Sequence, residues 1–198
     1  PNEAGGITGL AIFRSTDDIA RNCYNTGNIS GISRVGGIVG KSQSHADAGG
    51  RIINCYNLGN VTSQDHVGGI SGTTYGAIIS CFNTGNIKAT GQYASGITAY
   101  IYSYSDHPIA IEKCWNSGTI DSLQYVGGIA GYLFGYQALS ECYNVGNINA
   151  GGNYVGGLMG YGDIQGNTTD YTVQNCYNTG NIIQTSVIND NPYAKSYV

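Results

Sequence analysis

The sequence predicts an all-β protein, a parallel β-solenoid of about six coils with roughly 30 residues per coil, and three observations predict it. The octet NCYNTGNI occurs twice letter for letter, at 22–29 and 175–182, and its core returns as CYNLGNV, CFNTGNI, CWNSGTI and CYNVGNI. The six cysteines, Cys23, Cys55, Cys81, Cys114, Cys142 and Cys176, therefore recur at a near-regular interval, and a period of this kind marks stacked supersecondary units. A second phrase interleaves with the first: VGGIVG from Val35, VGGISG from Val67, VGGIAG from Val126 and VGGLMG from Val155, with a degraded ASGITA from Ala94 and a partial GGITG from Gly5.

Each element follows from one repeat position. Apolar residues recur three before each cysteine (Ala20, Ile52, Ile78, Ile111, Leu139, Val173) and six after it (Ile29, Val61, Ile87, Ile120, Ile148, Ile182), in pieces too short for a helical period and suited to strands. Asn-x-Gly and Gly-Gly end these pieces as turns, in which glycine is expected to supply positive φ. Cysteine is small and among the most buried residue types, so it belongs to an inner column. Asn25, Asn57, Asn83, Asn116, Asn144 and Asn178 are expected to form a ladder of side-chain amides. Strand alternation puts Tyr24, Tyr56, Phe82, Trp115, Tyr143 and Tyr177 outside, unless a bend at the cysteine turns that column inward. Strand spacing of about 4.8 Å makes a rod of about 30 Å.

Insertions collect on one side. From cysteine to the next glycine phrase the spacing is nearly constant, as from Cys23 to Gly36 and from Cys81 to Ser95, whereas the return varies from the short Gly68 to Cys81 to the long Gly156 to Cys176. Such one-sided variation marks loops projecting from one face of a stack. The whole chain, 1–198, reads as one solenoid domain, with a partial coil over 1–22 and a degenerate last coil over 176–198, where Asn189, Asp190, Asn191 and Pro192 replace the expected glycines. Because the chain opens on a fragment of its own repeat and shows no signal peptide, a processed chain or a piece of a longer one is expected.

Composition narrows the function. With 32 glycines, 17 tyrosines, 8 basic and 12 acidic residues and a net charge of −4, the chain carries no basic patch for nucleic acid. It holds no apolar run of membrane-spanning length, and at 41% hydrophobic residues it is too apolar for disorder. The cysteines lack CxxC spacing and each occupies one repeat position, so buried free thiols are expected rather than bridges or a metal site; in a secreted protein they favour an anaerobic producer. Asp65-His66 and Asp106-His107 alternate faces along a strand and make poor dyads, and His45 stands apart. No nucleophile elbow or metalloprotease motif occurs. Neither an enzyme nor a cofactor is expected.

Two aromatic trios are the candidate ligand site. Tyr100, Tyr102 and Tyr104 in AYIYSYS, and Tyr132, Phe134 and Tyr136 in GYLFGYQ, fall at equal offsets from Ser95 and Gly127, and Tyr161 extends the first column. They form either a platform for sugar rings or packing that stabilises the rod from within or beneath a loop. Tyr93, Tyr125 and Tyr154 form a smaller column with the same two readings. Asn28, Asn60 and Asn167 open glycosylation sequons.

The interleaved phrases resemble the GLUG repeat, named for its Gly-Leu-x-Gly core, over nearly the whole chain from Gly5 to about Ile183, with Ile or Leu in the second slot. The resemblance implies a large secreted or surface-anchored bacterial protein, as in adhesin-like proteins and in IgA-cleaving peptidases whose repeats lie outside the catalytic domain. It points to an extracellular adhesin or stalk with a glycan or host-surface ligand. Open strand edges at the rod's ends offer a second reading, a head-to-tail filament. A third is ice binding through the column Thr26, Leu58, Thr84, Ser117, Val145 and Thr179.

Overall fold

The computed structural model describes residues 2–13, 19–44, 50–103, 109–135, 137–164 and 173–185, and among these every regular element is a β-strand. Five sheets run along the rod, each of six parallel strands in simple sequential order. One coil contributes one strand to each sheet. In the third coil these are Asp65–Gly68, Ser71–Thr74, Ala77–Ile79, Phe82–Asn83 and Ile87–Ala89. Five coil-to-coil steps join the first layer to the last, and the chain is the expected parallel β-solenoid.

Register follows the repeat. Phe82 pairs with Tyr56 and Trp115, Asn83 with Asn57 and Asn116, and Val67 with Val35 and Ala94, so each repeat position becomes a column. The rigid half of the repeat spans the fourth, fifth and first sheets. The variable half is the run from the second sheet to the third, whose connection is two residues at Tyr75 and Gly76 and longest between Ile164 and Val173.

Two apolar compartments fill the rod. One holds Ile52, Ile78, Ile111, Leu139, the cysteines and Ile38, Ile70, Ile97 and Ile129; the other holds Val61, Ile87, Ile120, Ile148, Val35, Val67 and Val126. Between them the lumen is pinched. The second glycine of each phrase lies against the asparagine ladder, and a Cβ built at Gly37, Gly69, Gly96, Gly128 or Gly157 would fall within 3.0 Å of side-chain carbons of Asn57, Asn83, Asn116, Asn144 or Asn178. The two sequence phrases thus meet across the interior, one contributing an amide and the other the space it needs.

This corrects the expected role of glycine. Among the described residues the one glycine with positive φ is Gly135 (φ 95). The left-handed positions are the residues before each cysteine, Asn22, Asn54, Ser80, Lys113, Glu141 and Asn175, and the residues before each valine or alanine of the second phrase, Arg34, His66, Tyr93, Tyr125 and Tyr154, with φ between 51 and 62. The phrase glycines answer to proximity instead. In the Asn-x-Gly turn, a Cβ at Gly59, Gly85, Gly118, Gly146 or Gly180 would strike the glycine carbonyl of the preceding coil.

Candidate functional site

The asparagine ladder is continuous. Each Nδ2 donates to Oδ1 of the next coil at 2.7–2.8 Å, from Asn25 through Asn57, Asn83, Asn116 and Asn144 to Asn178. The second proton goes to the glycine carbonyl two residues on, at 2.6–2.9 Å. Asn57, Asn83, Asn116 and Asn144 are fully buried, so the ladder satisfies amides that would otherwise be costly to bury. A second ladder on the outside escaped the sequence reading: Oδ1 of Asn28, Asn60, Asn86 and Asn147 accepts the backbone N–H of Asn60, Asn86, Thr119 and Asn181 at 3.0–3.1 Å. Its signal was the last asparagine of Asn-x-Gly-Asn. Two of its members, Asn28 and Asn60, are the asparagines of the sequons, while Asn167 lies outside the described residues.

The six cysteines are unbridged and line the inner column, Cys55, Cys81, Cys114 and Cys142 fully buried. Every thiol donates to the carbonyl two residues before it, at 3.1–3.3 Å, and from Ile53 to Gln174 that carbonyl also accepts the backbone N–H of the left-handed residue one coil earlier, as from Asn22 to Ile53 at 3.1 Å. Cys81, Cys142 and Cys176 also accept the N–H of Cys55, Cys114 and Cys142 at 3.3–3.4 Å. Hydrogen bonding to Cys81 and then burial push the Cys55 thiol up, and burial first pushes up Cys114; bonds from Cys114 and Cys55 act on Cys81 in the opposite sense. A sulfur anion in this apolar column would carry the cost of a desolvated charge, and the column therefore stands as neutral thiols.

The aromatic column after the cysteines faces outward. Tyr24, Tyr56, Phe82, Trp115, Tyr143 and Tyr177 stack in one file at centroid distances of 5.2, 4.9, 4.5, 5.8 and 5.1 Å, with ring planes within 8° of parallel.

The described members of the two trios, Tyr100, Tyr102, Tyr132 and Phe134, also point outward. Ile101 and Leu133, between the aromatics, take the interior positions, so the inward reading of the alternation is corrected by strand alternation itself. Tyr100, Tyr132 and Tyr161 stack at 5.0 Å each, and Tyr102 lies on Phe134 at 4.7 Å. Tyr104 and Tyr136 lie outside the described residues, as do His45, Asp106 and His107. A neighbouring file, His66, Tyr93, Tyr125 and Tyr154, stacks at 4.5–4.8 Å and meets the first edge to face, as at Tyr93–Tyr100, Tyr125–Tyr161 and Tyr154–Tyr161. His66 was missed, although it precedes its glycine phrase as Tyr93, Tyr125 and Tyr154 precede theirs. Toward the first coil the same registers carry Thr73, Lys41 and Leu10, and Arg34, which pairs with Glu3 at 2.9 Å. The aromatic block therefore occupies one part of one face.

Its geometry limits its chemistry. Rings stacked on one another cover one another's faces, so interior rings offer edges and phenol groups rather than flat faces to a sugar. The shielding acts on the phenols: burial first, then the neighbouring Tyr100 and Tyr161, pushes Tyr132 up to about 12, and burial also raises Tyr93 and Tyr125. Burial holds the His66 imidazole below its ordinary value, Asp65 opposing and Arg34 adding to the effect. Among the described residues no group of three or more His, Cys, Asp or Glu side chains could hold a metal ion.

No family model, curated protein or solved structure matches this chain.

Proposed function

We propose that this chain is a non-catalytic repeat rod of an extracellular, surface-displayed bacterial protein, serving as the stalk of an adhesin. One observation carries the reading: the residues that distinguish the sequence are used on one another. The cysteines, through backbone N–H groups donated to the sulfur of the next coil, both sets of asparagines and the six-ring file link layer to layer, which stiffens a quasi-one-dimensional object. The resemblance to GLUG repeats supports the location. In the producing bacterium, antibody against the rod is expected to label intact cells; labelling only after permeabilisation would overturn the surface assignment.

The uneven aromatic block favours an adhesive form. A rod needs its ladders in every layer, yet Tyr93, Tyr125, Tyr154, Tyr132 and Tyr161 gather toward one end of one face. Phenol hydroxyls along such a face suit hydroxyl-rich glycans. A glycan array probed with the chain and with a Tyr132→Ala/Tyr161→Ala variant tests this: binding lost in the variant supports the adhesin, and no binding by either leaves the stalk. Ice binding has less support, since the Thr26 to Thr179 column is one residue wide and includes the exposed Leu58 and Val145.

A further inference from the structure

The aromatic block changes its pattern at the coil of His66. Thr73 occupies the register of Tyr100, Tyr132 and Tyr161, so a hydroxyl and a methyl stand where the next three coils place a ring. The neighbouring file continues into that coil as His66, which stacks on Tyr93 at 4.5 Å and leans toward Tyr100 at 5.6 Å. Tyr93, Tyr125 and Tyr154 each meet a ring of their own coil, Tyr100, Tyr132 and Tyr161, at 5.7, 5.6 and 5.1 Å. At the matching place beside His66 stands Thr73.

Two polar atoms there are unsatisfied. Thr73 belongs to the outer face, since Thr74 after it pairs with the interior Ile101, yet it is only 5% exposed. Its Oγ1 has no hydrogen-bond partner, and neither has His66 Nδ1. A buried polar atom left in that state costs roughly 1–3 kcal/mol, and native structures keep few of them. The hydroxyl can donate or accept, and the imidazole nitrogen can do either according to its tautomer, so both suit the hydroxyl groups of a sugar.

The charges around this place are committed, with one exception. Arg34, opposite His66 one coil earlier, pairs with Glu3 at 2.9 Å, and Asp65 Oδ1 accepts the Gln92 N–H at 2.8 Å. Lys41, opposite Thr73 one coil earlier, takes part in no ion pair among the described residues. Beyond the far side of the block the charge is of opposite sign, Asp163 in the register of Phe134. A carboxylate on the ligand would therefore meet its cation at the Thr73 side.

We infer that Lys41, His66 and Thr73 form a subsite for an acidic sugar, the carboxylate on Lys41 Nζ and ring hydroxyls on Thr73 Oγ1 and His66 Nδ1, with Tyr93 and Tyr100 beside the pyranose ring. Both unpartnered atoms lie beneath the surface, and the ligand reaches them as the flexible Lys41 chain swings toward its carboxylate. The charge-assisted bond to the carboxylate is the strongest of these contacts. The inference rests on the adhesive form of the proposed function and deepens it, naming a carboxylate-bearing sugar as the ligand and one edge of the aromatic block as its place.

Calorimetric titration tests it, with oligosaccharides bearing glucuronate, galacturonate or sialate and with the methyl ester of each. The wild-type chain is expected to bind at least one acid, and its ester about tenfold more weakly, the loss of one charge-assisted hydrogen bond. Lys41→Gln, on the outer face of its strand, is expected to bring that acid down to the level of its ester. Thr73→Tyr adds one ring to the Tyr100 file, and is expected to keep the far-ultraviolet spectrum and melting temperature while abolishing binding of acid and ester alike. The inference is overturned by a wild-type chain that binds none of the acids, by acid and ester bound equally, by binding that neither variant alters, or by an oligoglutamate bound as tightly as the acidic sugar. The two readings fail separately. A neutral glycan lost in Tyr132→Ala/Tyr161→Ala but retained by Thr73→Tyr leaves the adhesive reading without this subsite, whereas an acidic sugar lost only in Thr73→Tyr and Lys41→Gln supports the subsite alone.

Discussion

At Lys113 and Glu141 the backbone adopts φ of 55 and 52, a conformation that costs a side chain with a Cβ about 1 kcal/mol. Lys113 gives little in return, since its 2.8 Å pair with Glu112 is at the surface. Lys113→Gly is expected to stabilise the chain by about 0.5 kcal/mol after the glycine's own unfolded-state entropy is set against the relieved strain, measured by urea denaturation. Gly128→Ala should do the reverse. Its Cβ would fall on Asn144 and on the Gly157 carbonyl, a backbone-bound clash worth about 3 kcal/mol. His66 adds a pH dependence. Its imidazole is held below the ordinary 6.5 by burial, so below that value the unfolded chain binds the proton more readily and stability falls as pH falls through the window under 6.5. His66→Tyr, which installs the residue found at Tyr93, Tyr125 and Tyr154, is expected to flatten urea midpoints between about pH 5 and about pH 7. Neither the strain nor the pinch was legible beforehand: Asn22, Asn54, Ser80, Lys113, Glu141 and Asn175 share no side-chain chemistry that would announce a left-handed column.

The asparagine ladder behaves as one element although its members come from six strands. Removing an interior member breaks bonds on both sides: Asn83→Ala leaves Asn57 Nδ2 without its ladder acceptor, Asn116 Oδ1 without its donor and the Gly85 carbonyl without its amide. Buried groups so orphaned should cost about 3 kcal/mol. Asn25→Ala breaks one ladder bond at a part-exposed end, and about 1 kcal/mol is expected. Comparing the two by urea midpoints separates a cooperative ladder from independent side chains; equal losses would argue for the latter. This element was legible in the sequence because in-register pairing turns a repeated residue into a column. Its partner, the column of second glycines, was visible as a motif but not as a partner, since adjacency across the lumen depends on how the corners between sheets fold.

Across the whole rod, stability should decline toward the ends, where each coil has one neighbour instead of two. Cys81 and Cys114 lie in fully buried interior layers, whereas Cys23 and Cys176 occupy the part-exposed end layers. A thiol reagent followed by mass spectrometry is expected to label Cys23 and Cys176 first, with Cys81 and Cys114 protected until global unfolding. Labelling of all six at one rate would show that the rod opens as a single unit.

The sequence by itself determined the stacking: a near-regular repeat period, two interleaved phrases and the short apolar pieces between them admit in-register parallel strands, and with them the thiol column and the amide ladder. Tertiary structure alone decided what those phrases do to one another. Only the closed coil brings Gly37 against Asn57 and divides the core in two, and only stacking at the rise of a β-sheet turns a row of tyrosines from a set of open faces into a file of edges. Sequence order records which residue follows which, whereas contact across the lumen and the exposure of a ring face depend on distances that exist only once five sheets have closed around a common interior.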